Sequence, residues 1–225
     1  MMQQPMPAAG MICAQLDPSV TDPTSNRAKC LEAVRHAIAD RGDIIVLPEL
    51  ATSCYMFELT AEARGLALAT EDKLFVEIAE LLNGTDSIVI VCFCELGPGE
   101  TLWKSAEVIS AAGVLTDYRK THLWDRETLF FQLGSDPAPV IDTAPGQIGI
   151  LICYDLESSE MPRTLAVNGA YLVVVPTNWP LGEHPDDERA AEIITRKRRR
   201  QRTAFLFSAA IARVPSAAND GLRAQ

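Results

Sequence analysis

The chain has 225 residues, is 48% hydrophobic, and carries a formal net charge of -10 with a pI of about 4.8. This length supports one sizeable hydrophobic core and is too short for two comfortable domains. The acidic balance argues against nucleic acid and anionic membranes as partners, and no apolar run reaches the length of a transmembrane helix.

The two ends of the chain and its cysteines indicate where the protein works. Residues 1–10 lack the basic and apolar regions of a secretory signal, so we expect a mobile leader there. Residues 216–225 have no strand pattern and are expected to form a loose tail, which leaves a domain at 11–215. The six cysteines fall mostly in strand or helix patterns rather than in a loop-rich disulfide scaffold, which favours reduced thiols in a cytoplasmic protein.

Apolar strand patterns alternate with helical patterns along the chain, which predicts an α/β fold with covered sheets. The predicted strands are 10–16, 43–47, 87–96, a hairpin of 102–110 with 114–118, then 147–153, 170–175 and 204–211. The predicted helices are 25–40, one or two helices within 60–83, then 158–168 and 186–202. Residues 119–139 are expected to form a long loop.

Three chemically distinct side chains stand just beyond apolar strands. Glu49 follows DIIVLP, Lys120 follows LTDYR, and Cys153 ends the run IGILI. Each one alone is most simply a strand-end or core residue. Because strand ends on one edge of a sheet converge in space, we expect the carboxylate, the ammonium and the thiol to share a pocket.

The chemistry of these three groups is coherent. A deprotonated cysteine is a strong nucleophile, and Glu49 is suited to take its proton and later to activate water. Lys120 and the backbone N–H of Tyr154 are suited to stabilise an oxyanion, which implies acyl transfer through a thioester. His122, two residues after Lys120, is a rival base at this stage.

Three blocks resemble the nitrilase superfamily, the carbon–nitrogen hydrolases: PELATSCY, RKTHLWDRETLFFQLG and ICYDLESSEMPRTLAVNGAYLVVVPTNW. The resemblance implies an αββα sandwich and a Glu49–Lys120–Cys153 triad. It also implies that Glu127 orients the lysine and the substrate, and that His122 positions a loop. Similar proteins tend to form homodimers or higher homo-oligomers through two helices, here 158–168 and 186–202.

Within the superfamily, Cys153-Tyr154-Asp155 is similar to the amidase-like branches, whereas true nitrilases usually have Trp-Glu after the cysteine. Two features depart from those branches. Ser158 and Ser159 stand where Phe-Pro is usual, and we expect a shortened C-terminal part relative to similar proteins. The basic run 195–202 is interpreted as a solvated helix face.

The sequence therefore predicts a hydrolase that converts a small carboxamide into an acid and ammonia. The alternatives are a nitrilase, an N-carbamoyl amino acid hydrolase, or a catalytically weak scaffold that retains the fold. Tyr55, Tyr154, Asn178 and Trp179 are the candidate substrate-binding residues, and Trp124 is a further candidate pocket wall. We expect a small amide or nitrile as the partner and no cofactor. We also expect no metal, because Cys92 and Cys94 lack the nearby histidine that a zinc site would need.

Overall fold

The computed structural model describes residues 9–144, 146–180 and 205–213. Within these residues the strands are β1 (Met11–Cys13), β2 (Ile44–Val46), β3 (Ile88–Leu96), β4 (Leu102–Ser110), β5 (Gly113–Arg119), β6 (Val140–Thr143), β7 (Gly146–Ile150), β8 (Leu172–Pro180) and β9 (Phe205–Arg213). The α-helices are α1 (Pro23–Ala39), α2 (Thr60–Gly65), α3 (Lys73–Leu81) and α4 (Glu160–Val167). Short 3₁₀ helices cover Pro98–Glu100, Asp125–Leu129 and Cys153–Glu157.

The described strands form two mixed sheets. The first has the order β1-β2-β3-β4-β5, with β1 to β3 parallel and β3 to β5 antiparallel. The second has the order β6-β7-β8-β9, with β7 and β8 parallel and both outer pairs antiparallel. The hairpin predicted over 102–118 is the pair β4 and β5.

Alternate residues along the strands divide the core into two layers, as the pleat of a β-strand requires. Ile44 and Val46 of β2 belong to the cluster between the two sheets, together with Ile148 and Ile150 of β7. Ile45 of β2 instead belongs to the cluster beneath α1 and α3.

On the far side, α4 covers the second sheet. A Cβ on Gly149 would lie 2.9 Å from the Leu165 side chain, so glycine permits this close approach of helix and strand. The resulting order of layers, helix, sheet, sheet and helix, confirms the predicted αββα sandwich.

Two local predictions are wrong. The short strand β6 was not predicted, because its four residues follow a proline-rich stretch and alternate only weakly. The predicted strand 147–153 is too long, because β7 ends at Ile150 and Cys153 begins a 3₁₀ helix. Residues 1–8 of the predicted leader 1–10, the predicted tail 216–225, the predicted helix 186–202 and its basic run 195–202 lie outside the described residues.

Glu107 is a buried carboxylate on the helix-facing side of β4. Its side chain is buried, and its Oε2 has no hydrogen-bond partner among the described residues. Burial, with the charges of Asp117 and Glu95, raises the pKa of Glu107 to about 8. Folding therefore favours the protonated form of this group.

We expect Glu107→Gln to stabilise the protein by about 1–2 kcal/mol at pH 8.5, because it removes a buried, unpartnered charge. Since the folded pKa lies above the unfolded value, the wild type should lose stability as pH rises from about 4.5 to 8. Urea unfolding at pH 5 and pH 8.5 measures this difference, with the exposed change Glu80→Gln as the control. Equal stabilities of the wild type and Glu107→Gln at both pH values would contradict the assignment.

Candidate active site

Glu49 lies in the turn that follows β2. The chain there continues alongside β3, since the N–H of Leu47 donates to Ile90 O at 3.0 Å and the N–H of Ala51 donates to Cys92 O at 2.9 Å. These bonds hold the turn at the end of the sheet and leave Glu49 fully buried.

Lys120 directly follows β5, and its backbone is held on both sides. Its N–H donates to Lys104 O at 2.8 Å, and its carbonyl accepts the N–H of Gly134 at 2.8 Å. A Cβ on Gly134 would lie 2.2 Å from Arg119 O, so glycine is needed at this close approach. The backbone of Lys120 is therefore fixed by hydrogen bonds on both sides, as it would be within a sheet.

Four charged side chains form a buried cluster between the sheets. Lys120 Nζ donates to Glu49 Oε1 at 2.9 Å and to Glu127 Oε2 at 2.9 Å. Lys104 Nζ donates to the same Glu49 Oε1 at 2.9 Å and to Glu127 Oε1 at 2.7 Å. Two ammonium groups thus balance two carboxylates, and none of the four side chains is more than 4% exposed.

Glu127 is the most heavily hydrogen-bonded member of the cluster. Beyond the two lysines, it accepts the Tyr55 hydroxyl at 2.6 Å and the Trp124 N–H at 3.0 Å. Burial alone would raise the pKa of Glu127, but Lys104 and Lys120 outweigh burial and hold that pKa down at about 2. Glu127 is thus a fixed anion that receives donors and is unsuited to act as a base near neutral pH.

Glu49 differs from Glu127 in one respect that matters chemically. Its Oε1 accepts both ammonium groups, whereas its Oε2 is buried without a partner among the described residues. A buried carboxylate oxygen without a donor is costly, so its lone pairs are available to a substrate, a water or a thiol proton.

Cys153 lies next to this cluster at the start of a 3₁₀ helix, with a left-handed backbone (φ 45°). Burial and the charge of Glu49 raise the pKa of the Cys153 thiol, while Lys120 and the backbone N–H of Asn178 act in the opposite direction. The net shift is upward, so the resting thiol is protonated. Any nucleophilic attack by Cys153 then needs a base at the moment of reaction.

The turn after Cys153 is tied to the loop after Lys120 by Asp155. This buried carboxylate accepts the backbone N–H of His122 at 2.8 Å, the Tyr118 hydroxyl at 3.0 Å and the N–H of Ile152 at 3.0 Å. The His122 ring nitrogen Nδ1 lies 3.2 Å from Asp155 Oδ1. The ring therefore contacts Asp155, which fits a residue that positions the loop better than a base for Cys153.

The candidate substrate-binding residues are placed in different ways. Tyr55 lines an aromatic cavity of about 210 Å³ together with Phe57, Trp124 and Glu127. Asn178 is buried on β8, and both polar atoms of its side chain lack partners among the described residues.

The other two candidates differ. The side chain of Tyr154 is exposed, although its backbone follows the cysteine directly. The Trp179 side chain lies outside the described residues.

The two serines do not cap α4 with their side chains. Ser159 occupies the N-cap position but makes no capping bond, and the hydroxyls of Ser158 and Ser159 donate to Glu160 Oε2 at 3.2 Å and 3.1 Å. The capping role that their sequence position allows is therefore not found.

Lys104 is the member of the cluster that the sequence analysis missed. It lies on β4 in the same alternation as Leu102, Ala106 and Val108, which are all buried. A lysine in register with apolar positions was the available signal. That signal is weak, because a lysine in a hairpin usually faces solvent.

Across residues 9–144, 146–180 and 205–213, no group of three His, Cys, Asp or Glu side chains could hold a metal ion. No helix in that part of the chain is long and apolar enough to cross a bilayer.

The comparisons with known proteins agree on one family. The model of the carbon-nitrogen hydrolase family matches residues 13–213. A nitrilase from Pyrococcus abyssi is 30% identical over 165 residues, which are 73% of this chain and 63% of that protein. An (R)-stereoselective amidase from Pseudomonas sp is 31% identical, with 89% of this chain and 69% of that protein covered.

The solved structures agree on the fold. A mutant of the Nesterenkonia AN1 amidase from the nitrilase superfamily aligns with a TM-score of 0.68 and 24% identity, over 79% of this chain and 69% of that chain. A second structure of that amidase, with a TM-score of 0.67, 24% identity and 80% and 70% of the two chains covered, has the acetamide moiety of fluoroacetamide added covalently at its active-site cysteine.

The chain spans 63% of the length of the Pyrococcus nitrilase. The family match nevertheless extends over nearly all of this chain, from β1 to the end of β9. This chain belongs to the carbon–nitrogen hydrolase family, in the amidase-like branch of the nitrilase superfamily.

Proposed function

We propose that the protein hydrolyses a small carboxamide to a carboxylic acid and ammonia through a thioester on Cys153. The observation that carries this proposal is the state of Glu49 beside the buried Cys153 thiol. Its Oε1 is fixed by Lys120 at 2.9 Å, and its Oε2 has no hydrogen-bond partner in the described part of the chain. A held base with a free lone pair next to a protonated nucleophile is the arrangement that acyl transfer requires.

In the acylation step, Glu49 takes the proton from Cys153 Sγ as the sulfur attacks the substrate carbonyl. The C–N bond breaks when Glu49 returns that proton to the leaving nitrogen, so ammonia departs and a thioester remains. Lys120 and the backbone N–H of Tyr154 stabilise the oxyanion that forms at the carbonyl oxygen.

In the second step, Glu49 takes a proton from a water that attacks the thioester. The C–S bond breaks, the proton returns to sulfur, and the acid leaves. The sum is amide plus water giving acid plus ammonia, with the enzyme restored. Glu127 remains an anion throughout, because both lysines hold its pKa low.

Two features support a substrate with an apolar group and a polar contact. The cavity beside Glu127 is lined by aromatic residues, including Tyr55, Trp124 and Phe131. The backbone N–H of Asn178 lies against the Cys153 thiol, and the buried amide side chain of Asn178 has no hydrogen-bond partner among the residues that the structure describes. We propose that Tyr55, Asn178 and Trp179 contact the substrate.

An ammonia-release screen over short aliphatic, aromatic and α-substituted amides and nitriles tests the function. We expect ammonia and the matching acid from at least one amide, with no turnover in Cys153→Ala. Ammonia from nitriles alone would make the protein a nitrilase, and carbon dioxide release from N-carbamoyl amino acids would make it a carbamoylase. No turnover of any compound by folded protein would support the scaffold alternative.

We also propose that the protein is a homodimer or a higher homo-oligomer. The first of the two helices expected at the interface is α4, on which Val167 is 77% exposed. The second expected helix, 186–202, lies outside the described residues, so the association stays a prediction.

A further inference from the structure

The buried cluster holds one cation more than the proposed reaction uses. Lys120 is the group placed to stabilise an oxyanion, and Glu49 and Glu127 are its carboxylate partners. Lys104 is equally buried, at 1% exposure, and no step of the reaction requires it. Burying a lysine ammonium costs free energy of desolvation, so its burial here calls for a compensating role.

Lys104 bridges the two carboxylates by itself. Its Nζ lies 2.9 Å from Glu49 Oε1 and 2.7 Å from Glu127 Oε1, and it stands 4.2 Å above the centre of the Tyr55 ring. An ammonium has three N–H donors. Two of them are used by the carboxylate oxygens, and the charge also lies over the face of the Tyr55 ring. Lys104 is thus turned toward the carboxylates and the aromatic ring.

Lys120 makes a third and weaker contact, to Glu127 Oε1 at 3.2 Å. The same oxygen already accepts Lys104 at 2.7 Å and the Tyr55 hydroxyl at 2.6 Å. Lys120 can therefore redirect one N–H toward a developing oxyanion without leaving a buried acceptor unpartnered. Without Lys104, the two carboxylates would share Lys120 as their one ammonium partner in the described part of the chain.

We propose that Lys104 is a positioning residue, which fixes Glu49 and Glu127 through one oxygen each so that Lys120 is free to stabilise the oxyanion and Glu49 Oε2 is left free to act as the base. This inference rests on the proposed function. It adds Lys104 to the mechanism of Glu49, Lys120 and Cys153, and it gives Lys104 a role through its carboxylate partners rather than through the substrate.

The proposal makes the ionisation of Cys153 depend on Lys104. The charged groups that act on the thiol are Glu49 after β2, Lys104 on β4 and Lys120 after β5. The titratable groups that act on or are acted on by Lys104 are Glu49, Glu127, Cys92, Cys94, Tyr55 and Cys153. Removing one ammonium should make the thiolate less favourable and make the two carboxylates compete for a single cation.

The test compares Lys104→Met, Lys104→Arg and the matched control Cys94→Ala. Cys94 pairs with Lys104 across β3 and β4 and is fully buried, so its truncation disturbs the same place without changing a charge. The first readout is the pH dependence of Cys153 alkylation by iodoacetamide, followed by peptide mass spectrometry, which needs no substrate. The second is the pH profile of kcat/KM on the best amide from the screen.

For Lys104→Met we expect an alkylation midpoint about one pH unit higher and an acid limb of kcat/KM that also moves to higher pH. We expect kcat/KM to fall about 10²-fold, mainly in kcat, because the oxyanion donor is no longer free. Lys104→Arg should recover most of both shifts, and Cys94→Ala should leave both midpoints unchanged.

A double change separates charge from packing. Adding Glu127→Gln to Lys104→Met removes one anion along with the cation, so the alkylation midpoint should return toward the wild-type value. An unshifted alkylation midpoint in folded Lys104→Met, or an equal shift in Cys94→Ala, would overturn the proposal. Because alkylation needs no turnover, these outcomes stay readable even when no amide is hydrolysed and the proposed function fails.

Discussion

Replacing Cys153 by alanine should lower kcat/KM for amide hydrolysis by about 10⁴-fold or more, since no other group in the cluster can form the thioester. The fold should persist, because the thiol contributes little to packing beyond a small buried side chain. Ammonia release measures the loss. Peptide mass spectrometry after limiting iodoacetamide should find Cys153 alkylated in the wild type and no adduct at this position in the variant.

The control for Cys153 is a pair of cysteines in the core. Cys92 and Cys94 are fully buried on β3, and burial raises the pKa of each thiol to about 12. Cys92→Ala and Cys94→Ala should keep turnover within a few fold of the wild type. Turnover that survives Cys153→Ala, or an adduct on a core cysteine instead, would remove Cys153 from the mechanism.

Glu49→Gln should lower kcat/KM by about 10³-fold, because it removes the base from both steps. The same change should move the alkylation midpoint of Cys153 to lower pH, since the Glu49 charge raises the pKa of that thiol. Turnover and thiol ionisation should therefore change in opposite senses. A carboxylate that acted only through its charge would not produce this pattern.

Glu107→Gln is the matched control for Glu49→Gln, because it makes the same chemical change at a buried carboxylate away from the cluster. Glu107 lies on the face of β4 opposite to Lys104. Its turnover should stay close to that of the wild type. Activity of Glu49→Gln within about threefold of the wild type would instead return the base role to His122, the rival that the sequence analysis left open.

Long buried strands were predictable from the sequence because their apolar runs are continuous. SIVIVCFCEL, which contains β3, and the hairpin of β4 and β5 fall close to their predicted bounds. The end of β7 was not predictable in the same way. The run ILICY stays apolar past Ile150, but β7 ends there and the backbone adopts a left-handed conformation at Cys153. Periodicity does not encode that turn.

The site was predictable to the extent that its residues follow strands or carry the family blocks. Glu49, Lys120, Glu127 and Cys153 were named from the sequence, and the structure brings them together. Their catalytic roles stay predictions. Lys104 lies inside β4 and outside the three family blocks, so neither signal marks it. Its partners Glu49 and Glu127 are 55 and 23 residues away along the chain, and the folded first sheet with the loop after β5 brings them to it.

The double backbone clamp on Lys120 has an entropic consequence. A free lysine loses about 2 kcal/mol of rotamer entropy when its side chain is fixed. Here the peptide is held by Lys104 O and the Gly134 N–H, at 2.8 Å each, and the ammonium is held by two carboxylates, so this ordering is completed when the chain folds. No conformational search is repeated in each catalytic cycle. Enzymatic activity should therefore be lost in the same cooperative transition that unfolds the two sheets, and not at a lower temperature or denaturant concentration.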